Sequence, residues 1–345
     1  MQDDLVLGVD THKDVHVAAI VDAVGRLVDT AEFASSDRGG QQMLAWVRRH
    51  GCLRRAGIEG TGSYGYRLTK LLRANGVEAI EVNRPDRSAR RLRGKSDPLD
   101  AEAAAHAVLS GRAAAIPKDR EGPAGALRAL MVARRSAVKA RTQATNQIRA
   151  LLVECDDDLR GRLSERPGRG LARGCVRLRS CEGTRSALRS LGRRWLSLDR
   201  EAGDLEAEIS LIVTRVAPRL LDRLGVGVLS AAQLLITAGD NPRRLRGEAA
   251  FAALCRASPV EASSGRTSRR RLSRGGDRTA NSALWMIAHV RMVHDEKTRS
   301  YAARRTQRGN NRKEIMRLLI RYIARELYPI ILESLTPEAA LDDLA

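Results

Sequence analysis

Asp97 and Asp100 stand three residues apart in Ser96-Asp97-Pro98-Leu99-Asp100, at the start of a predicted helix. That spacing puts both carboxylates on one helical face, where they can share a ligand, and a divalent cation is the ligand such a pair suits. The same letters also spell a helix cap, with Asp97 as N-cap, Pro98 as the first helical residue and Asp100 at the third position. The preceding hundred residues tilt the balance toward a site, because they place two more carboxylates, Asp10 and Glu59, at the ends of predicted strands. A second chemical group lies far downstream, in Ser263-Ser264-Gly265-Arg266. It is embedded in a segment from Arg243 to Arg278 that holds ten arginines, no lysine and three acids. Guanidinium forks grip phosphate oxygens in pairs, as the compact ammonium of lysine does less well. Taken alone, the serines read as a polar turn beside an electrostatic patch.

The carboxylates need a frame, and the sequence before them supplies one. Leu5 to Asp10 is an apolar run ending in an acid; His12-Lys13-Asp14 turns it into Val15 to Val21, and Asp22-Ala23-Val24-Gly25 turns that into a third strand, Arg26 to Phe33. An amphipathic helix over 37–50 carries Met43, Leu44, Trp46 and Val47. Arg55 to Glu59 is a strand running into Gly60-Thr61-Gly62, Tyr64 to Ala74 a helix, Val77 to Val82 a strand, and Pro98 to Leu109 a helix. The order βββαβαβα resembles the ribonuclease H-like (RuvC-like) α/β fold, whose metal-binding carboxylates lie on the first strand, the fourth strand and the last helix. Asp10, Glu59 and the Asp97/Asp100 pair occupy those places. Four converging acids repel one another unless cations neutralise them, which points to a two-metal centre for phosphoryl transfer.

The rest of the chain differs in charge. Of 345 residues with a formal net charge of +20, residues 1–110 carry 16 basic and 15 acidic side chains, and 111–345 carry 45 basic and 26 acidic ones. A nearly neutral unit is thus followed by one suited to a polyanion. Leu127 to about Leu159 and Thr184 to Val216 read as two long helices joined by a Gly- and Arg-rich tip, Arg160 to Cys181, forming a helical hairpin or coiled coil. Arg223 to Leu234, with Gly225 and Gly227, resembles one helix-hairpin-helix element. Lys313 to Leu335 reads as helix with Ile315, Leu318, Leu319, Tyr322 and Ile323 inward and with a kink or break at Pro329. The expected domains are 1–115 (metal-binding), 120–217 (helical arm), 218–335 (a mainly α domain with the serine) and a tail, 336–345. Cys52, Cys155, Cys175, Cys181 and Cys255 have no zinc-type spacing and read as reduced thiols. No apolar run approaches a membrane span, and the start lacks a signal peptide's basic residues, so the expected location is cytoplasm or nucleoid.

Together these stretches resemble the DEDD transposases of bacterial insertion sequences, a family of bridge-RNA-guided recombinases. The strings that carry the resemblance span nearly the whole chain: Gly8-Val9-Asp10-Thr11-His12-Lys13, Ile58-Glu59-Gly60-Thr61-Gly62-Ser63-Tyr64, Lys95-Ser96-Asp97-Pro98-Leu99-Asp100-Ala101, Ala238-Gly239-Asp240-Asn241-Pro242, Phe251-Ala252-Ala253-Leu254 and Ser258 to Gly265. The resemblance implies that Asp10, Glu59, Asp97 and Asp100 bind Mg²⁺, two ions per composite site. It also implies a serine four residues after the proline, Ser263 with Ser264 as fallback, that attacks the scissile phosphate and leaves protein covalently joined to DNA. Lys95, Arg243, Arg244, Arg266, Arg269, Arg270, Arg271, Arg274 and Arg278 are the expected nucleic-acid contacts. The implied partners are DNA, a structured guide RNA and further copies of the chain, as a tetramer. Three rivals remain: a RuvC-like hydrolytic nuclease of branched DNA, which needs no serine; an actin-like kinase or ATPase, which lacks here its second Gly-rich phosphate loop; and a non-enzymatic nucleic-acid-binding protein.

Overall fold

The computed structural model describes residues 4–83, 96–179, 183–265 and 270–336. The chain divides into two compact units, Met1–Lys118 and Asp119–Ala345.

In the first unit the order is β1 (Asp4–Thr11), β2 (Val15–Val21), β3 (Leu27–Ala34), α1 (Asp37–His50), β4 (Cys52–Glu59), α2 (Tyr66–Ala74), β5 (Glu78–Val82) and α3 (Asp97–Leu109). The strands form one sheet in the order β3-β2-β1-β4-β5. The two hairpin partners of β1 and β2 run antiparallel, and β4 and β5 join parallel to β1. Strand periodicity then sorts the side chains. Leu5, Leu7 and Val9 of β1, with Ala56 and Ile58 of β4, pack under α1 and α2 against Met43, Trp46, Leu68 and Leu72. Val6 and Val21 pack on the opposite face against Ala104, Ala105 and Val108 of α3.

Helix α3 lies unusually close to that face. Gly8 and Gly57 are register partners on β1 and β4, and a Cβ on Gly8 would fall 2.0 Å from the Ala101 carbonyl oxygen and one on Gly57 2.6 Å from that of Ala104. The sheet offers a notch of two glycines, and the helix fills it with Ala101, Ala104 and Ala105. Small residues on both sides bring backbone onto backbone, which fixes where the first turn of α3 sits over the strand ends.

The second unit contains α4 (Pro123–Val153), α5 (Asp157–Ser164), α6 (Gly168–Val176), α7 (Gly183–Val216), α8 (Pro218–Leu221), α9 (Val228–Ala238), a 3-10 turn at Pro242–Arg244, α10 (Glu248–Leu254), β6 (Pro259–Glu261), β7 (Arg270–Leu272), α11 (Arg278–His294), α12 (Glu296–Gln307) and α13 (Arg312–Ser334). Helices α4 and α7 are antiparallel: Arg134 pairs with Glu206, Arg141 with Asp199 at 2.5 Å, and the Trp195 indole donates to Thr145 at 2.9 Å. Their base belongs to the main core, where Leu127, Ile209 and Val213 meet Leu234, Phe251, Leu284, Leu319 and Ile323.

Four expectations need correction here. The first long helix ends at Val153, not near Leu159, and two short helices, α5 and α6, follow it. Asp156 caps α5 by accepting from the Leu159 amide at 2.8 Å, and Leu159, Leu163, Leu171 and Cys175 pack on Ile148, Leu152 and Leu188. That burial supplies what composition alone withholds. Pro329 leaves α13 unbroken, because Leu327, Ile330 and Ile331 on either side are buried in the main core. Tyr322 is 49% exposed rather than inward. Ser96, not Asp97, is the N-cap of α3.

Candidate metal centre and serine hairpin

The alternation that buries Val6 also aims Asp10 at the α3 face, since residues 6, 8 and 10 share one side of β1. On β4 the same rule places Glu59 with Gly57. The register pairing of Val9 with Ile58 sets Asp10 and Glu59 side by side at the carboxyl ends of two parallel strands. The Thr11 hydroxyl donates to the Glu59 carbonyl at 2.8 Å and ties those ends together. Gly60, at φ +65°, turns the chain there with no room for a side chain beside Thr11. On α3, Asp97 and Asp100 both belong to the first turn, just ahead of Ala101, whose carbonyl lies against Gly8 of β1. Asp10 and Asp100 are 8% and 3% exposed, and buried carboxylates demand compensating partners.

His12, in the turn after β1, is one such partner. Its Nε2 lies 3.2 Å from Asp10 Oδ2 and 3.4 Å from Asp97 Oδ2. Ligand atoms of Asp10, His12 and Asp97 fall within 4.8 Å of one another. Two carboxylates and an imidazole at that spacing fit one divalent ion, whose ligands lie about 2.0–2.3 Å from it. Glu59 and Asp100 lie outside this cluster, at the adjoining strand end and three residues further along the helix. His16, opposite Thr11 on β2, is 4% exposed. Burial lowers its pKa and the nearby His12 charge lowers it further, so it stays neutral.

In the second unit, β6 and β7 form an antiparallel pair, Pro259 to Glu261 against Arg270 to Leu272, and the serines occupy the connection between them. The Ser263 hydroxyl donates to Glu261 Oε1 at 3.1 Å. Ser263, Ser264, Arg271, Arg274 and Arg278 are exposed, as is Arg243, whereas Arg244 is half-buried and donates to the Ala238 carbonyl at 3.1 Å. Lys95, Arg266 and Arg269 lie outside the described residues, and Arg270 is described only as the first residue of β7.

Comparison with protein families supplies the framework for both sites. Residues 7–155 match the transposase model of the DEDD IS110 type, and residues 217–303 match the Transposase IS116/IS110/IS902 family. The chain belongs to the IS110-type transposases. No curated protein matches it. The transposase therefore processes DNA, and its family points to a divalent metal. Among the described residues no helix is long and apolar enough to cross a membrane.

Two further residues of the transposase emerge only from the structure. Glu261, the last residue of β6, is two positions before Ser263 and accepts from its hydroxyl. Asp240, in one of the strings that carry the family resemblance, caps α4. Its carboxylate accepts from the amides of Gly122 at 2.9 Å, Ala124 at 2.7 Å and Gly125 at 3.2 Å, while Asn241 Oδ1 accepts from Asp119 N at 2.8 Å.

Proposed function

We propose that this transposase cuts and rejoins insertion-sequence DNA by phosphoryl transfer, with a ribonuclease H-like, RuvC-like metal centre in its first unit and a serine nucleophile in its second. The observation that carries the reading is the cluster of Asp10, His12 and Asp97 at the end of β1, to which the proposal adds Glu59 at the adjoining strand end and Asp100 further along α3. Neutralising four acids there calls for cations, and Mg²⁺, two ions per site, is the proposed occupant, with His12 as an additional ligand or a hydrogen-bonding brace. When bound, the metal supplies charge stabilisation for the phosphoryl group and its leaving oxygen.

Ser263 is the proposed nucleophile, supported by its exposure and by the carboxylate beside it. Its Oγ forms a bond to phosphorus as one P–O bond of the strand breaks; the Oγ proton passes to Glu261, and the leaving oxygen takes a proton from water. The serine-phosphate ester keeps a phosphodiester-like linkage for rejoining, so the strand is not lost to hydrolysis. Exposed Arg243, Arg271, Arg274 and Arg278, with Lys95, Arg266, Arg269 and Arg270, are proposed to hold the nucleic-acid backbone. Target choice is assigned to a structured guide RNA, in keeping with a strongly basic chain that has only 3% aromatic residues. The antiparallel α4–α7 arm is the proposed oligomerisation element of a tetramer.

The test is incubation of the protein and its co-expressed RNA with labelled element-end DNA and Mg²⁺, followed by denaturing electrophoresis with and without protease. The expected product is a protease-sensitive adduct that disappears with EDTA and with Ser263→Ala and persists with Ser264→Ala. Free cleaved ends without adduct would replace the serine by water and make the enzyme a hydrolytic nuclease.

A further inference from the structure

A cavity of about 790 Å³ opens in the second unit beside the serine hairpin. Its walls come from the segment 256–259 leading into β6, from Arg271 on β7, from the start of α11, and from the junction of α12 with α13. Five arginines line it against one carboxylate, Glu314. Most of these groups are committed. Arg256 donates to the carbonyls of Gly276 and Arg274 at 3.0 and 2.6 Å, and Asn281 reaches the carbonyls of Cys255 and Arg256. Arg321 is paired bidentately with Glu248, and Arg305 bonds the Tyr301 hydroxyl. Glu314 closes the capping box of α13.

Arg271 and Arg317 are different: both are exposed and neither makes an ion pair among the described residues. Between the committed groups stands Tyr322, packed edge-to-face on Tyr301 at 5.9 Å between centroids and yet 49% exposed. Its exposed ring edge borders a cavity lined by arginines and side-chain amides, where an aromatic face can stack a base. Two exposed guanidinium groups with no ion pair among the described residues, an open aromatic ring and side-chain amides in a cavity of ligand size match the chemistry of a nucleotide: phosphate, base face and base edge.

We infer that this cavity receives a nucleotide of single-stranded DNA, with the base on Tyr322 and the flanking phosphates on Arg271 and Arg317. Pro259, on the cavity wall, is four residues before Ser263, so the nucleotide held is one beside the scissile phosphate; this last clause rests on the reading of Ser263 as nucleophile. A base held out of the stack there sets the register of the strand at the hairpin, and backbone cations do the same without reading sequence.

The experiment measures binding of short single-stranded DNA by the full chain in EDTA, so that no strand is consumed and the result is independent of which group attacks. Tyr322→Ala is expected to weaken binding about tenfold while Tyr322→Phe holds within about twofold. Arg271→Ala and Arg317→Ala should each lower the salt slope by about one unit or slightly less. A 5-iododeoxyuridine oligonucleotide should photo-crosslink to Tyr322, with circular dichroism melts establishing that each variant is folded. Folded Tyr322→Ala and Arg317→Ala proteins that bind like the wild type would overturn the inference, as would a crosslink that maps away from the cavity, or one formed by 5-iodouridine RNA and not by DNA. Loss of the covalent adduct from the reaction assay with these binding results intact would remove the serine and leave the cavity.

Discussion

Replacing Gly8 by alanine tests whether helix packing sets the metal centre. The new Cβ would sit 2.0 Å from the Ala101 carbonyl oxygen, 2.5 Å from the Ala105 amide nitrogen and 3.0 Å from the Ala105 methyl group. A carbon–oxygen contact settles near 3.3 Å, so strand and helix must part by about 1.3 Å. The strand is held: β1 is hydrogen-bonded on both sides, by β2 and β4, and Leu7 and Val9 are wholly buried on its other face. Helix α3 therefore moves, and Asp97 and Asp100 move with it. The Asp97–His12 separation of 3.4 Å then opens. A misplacement near 1 Å costs about a hundredfold in a positioned reaction, and overpacking of this kind costs roughly 1–3 kcal/mol of stability. Expected for Gly8→Ala are a folded protein with a lowered melting temperature, weakened Mn²⁺ binding by electron paramagnetic resonance, and DNA cleavage down about a hundredfold. Gly57→Ala presses on Ala104 and Val108, further from the acids, so its loss of metal binding should be smaller at comparable loss of stability. Wild-type metal affinity in Gly8→Ala, or a larger metal defect in Gly57→Ala, would refute the argument that this notch sets the site.

Two other perturbations act in the second unit. Asp240→Ala removes three hydrogen bonds from a carboxylate to the first turn of α4 and leaves their amides without that partner; the cost should be about 2–4 kcal/mol, read from denaturant melts, and Asp240→Asn should recover part of it. Asp277 caps α11 through the amides of Thr279 and Ala280 and also accepts from Thr237 and Gln233. Burial pushes its carboxyl upward, but the hydrogen bonds from Thr279, Thr237 and Ala280 outweigh it and leave the pKa below the ordinary 3.8. A depressed folded value means that its stabilisation is complete above the unfolded value and is lost as pH falls through the folded one. Asp277→Asn should therefore destabilise at neutral pH and narrow the gap to wild type below about pH 4 in acid melts; a gap independent of pH would contradict the assignment.

The sheet and its acids were legible because strand periodicity is local. Leu5, Leu7 and Val9 against Val6, Gly8 and Asp10 already declare two faces, and the glycine among the second set marks where something comes close. The places of Asp10 at the end of β1 and Asp97 at the start of α3, which the structure brings together, follow from element order alone. His12 was not legible in the same way, since its partner Asp97 lies on a helix whose approach depends on the glycine notch and on alanines a hundred residues away. The end of α4 was misplaced because apolar spacing runs on to Leu159, while the deciding signals were the Asp156 cap and four apolar residues that meet Ile148, Leu152 and Leu188 only in three dimensions.

The Asp240 string carries the same lesson in the opposite direction. In the sequence, Ala238-Gly239-Asp240-Asn241-Pro242 carries the family resemblance and nothing more. In the structure its carboxylate and amide side chains close on the chain at Asp119 to Gly125 and start the longest antiparallel pair in the molecule. An acid at a helix start is stabilised by the aligned peptide dipoles as well as by its hydrogen bonds. Its removal is thus expected to lower stability without touching metal binding, whereas Asp97 or Asp10 removal does the reverse. Acids of one type in one chain divide between fold and chemistry according to what faces them: amides at α4 for Asp240, and an imidazole and other carboxylates for Asp10 and Asp97.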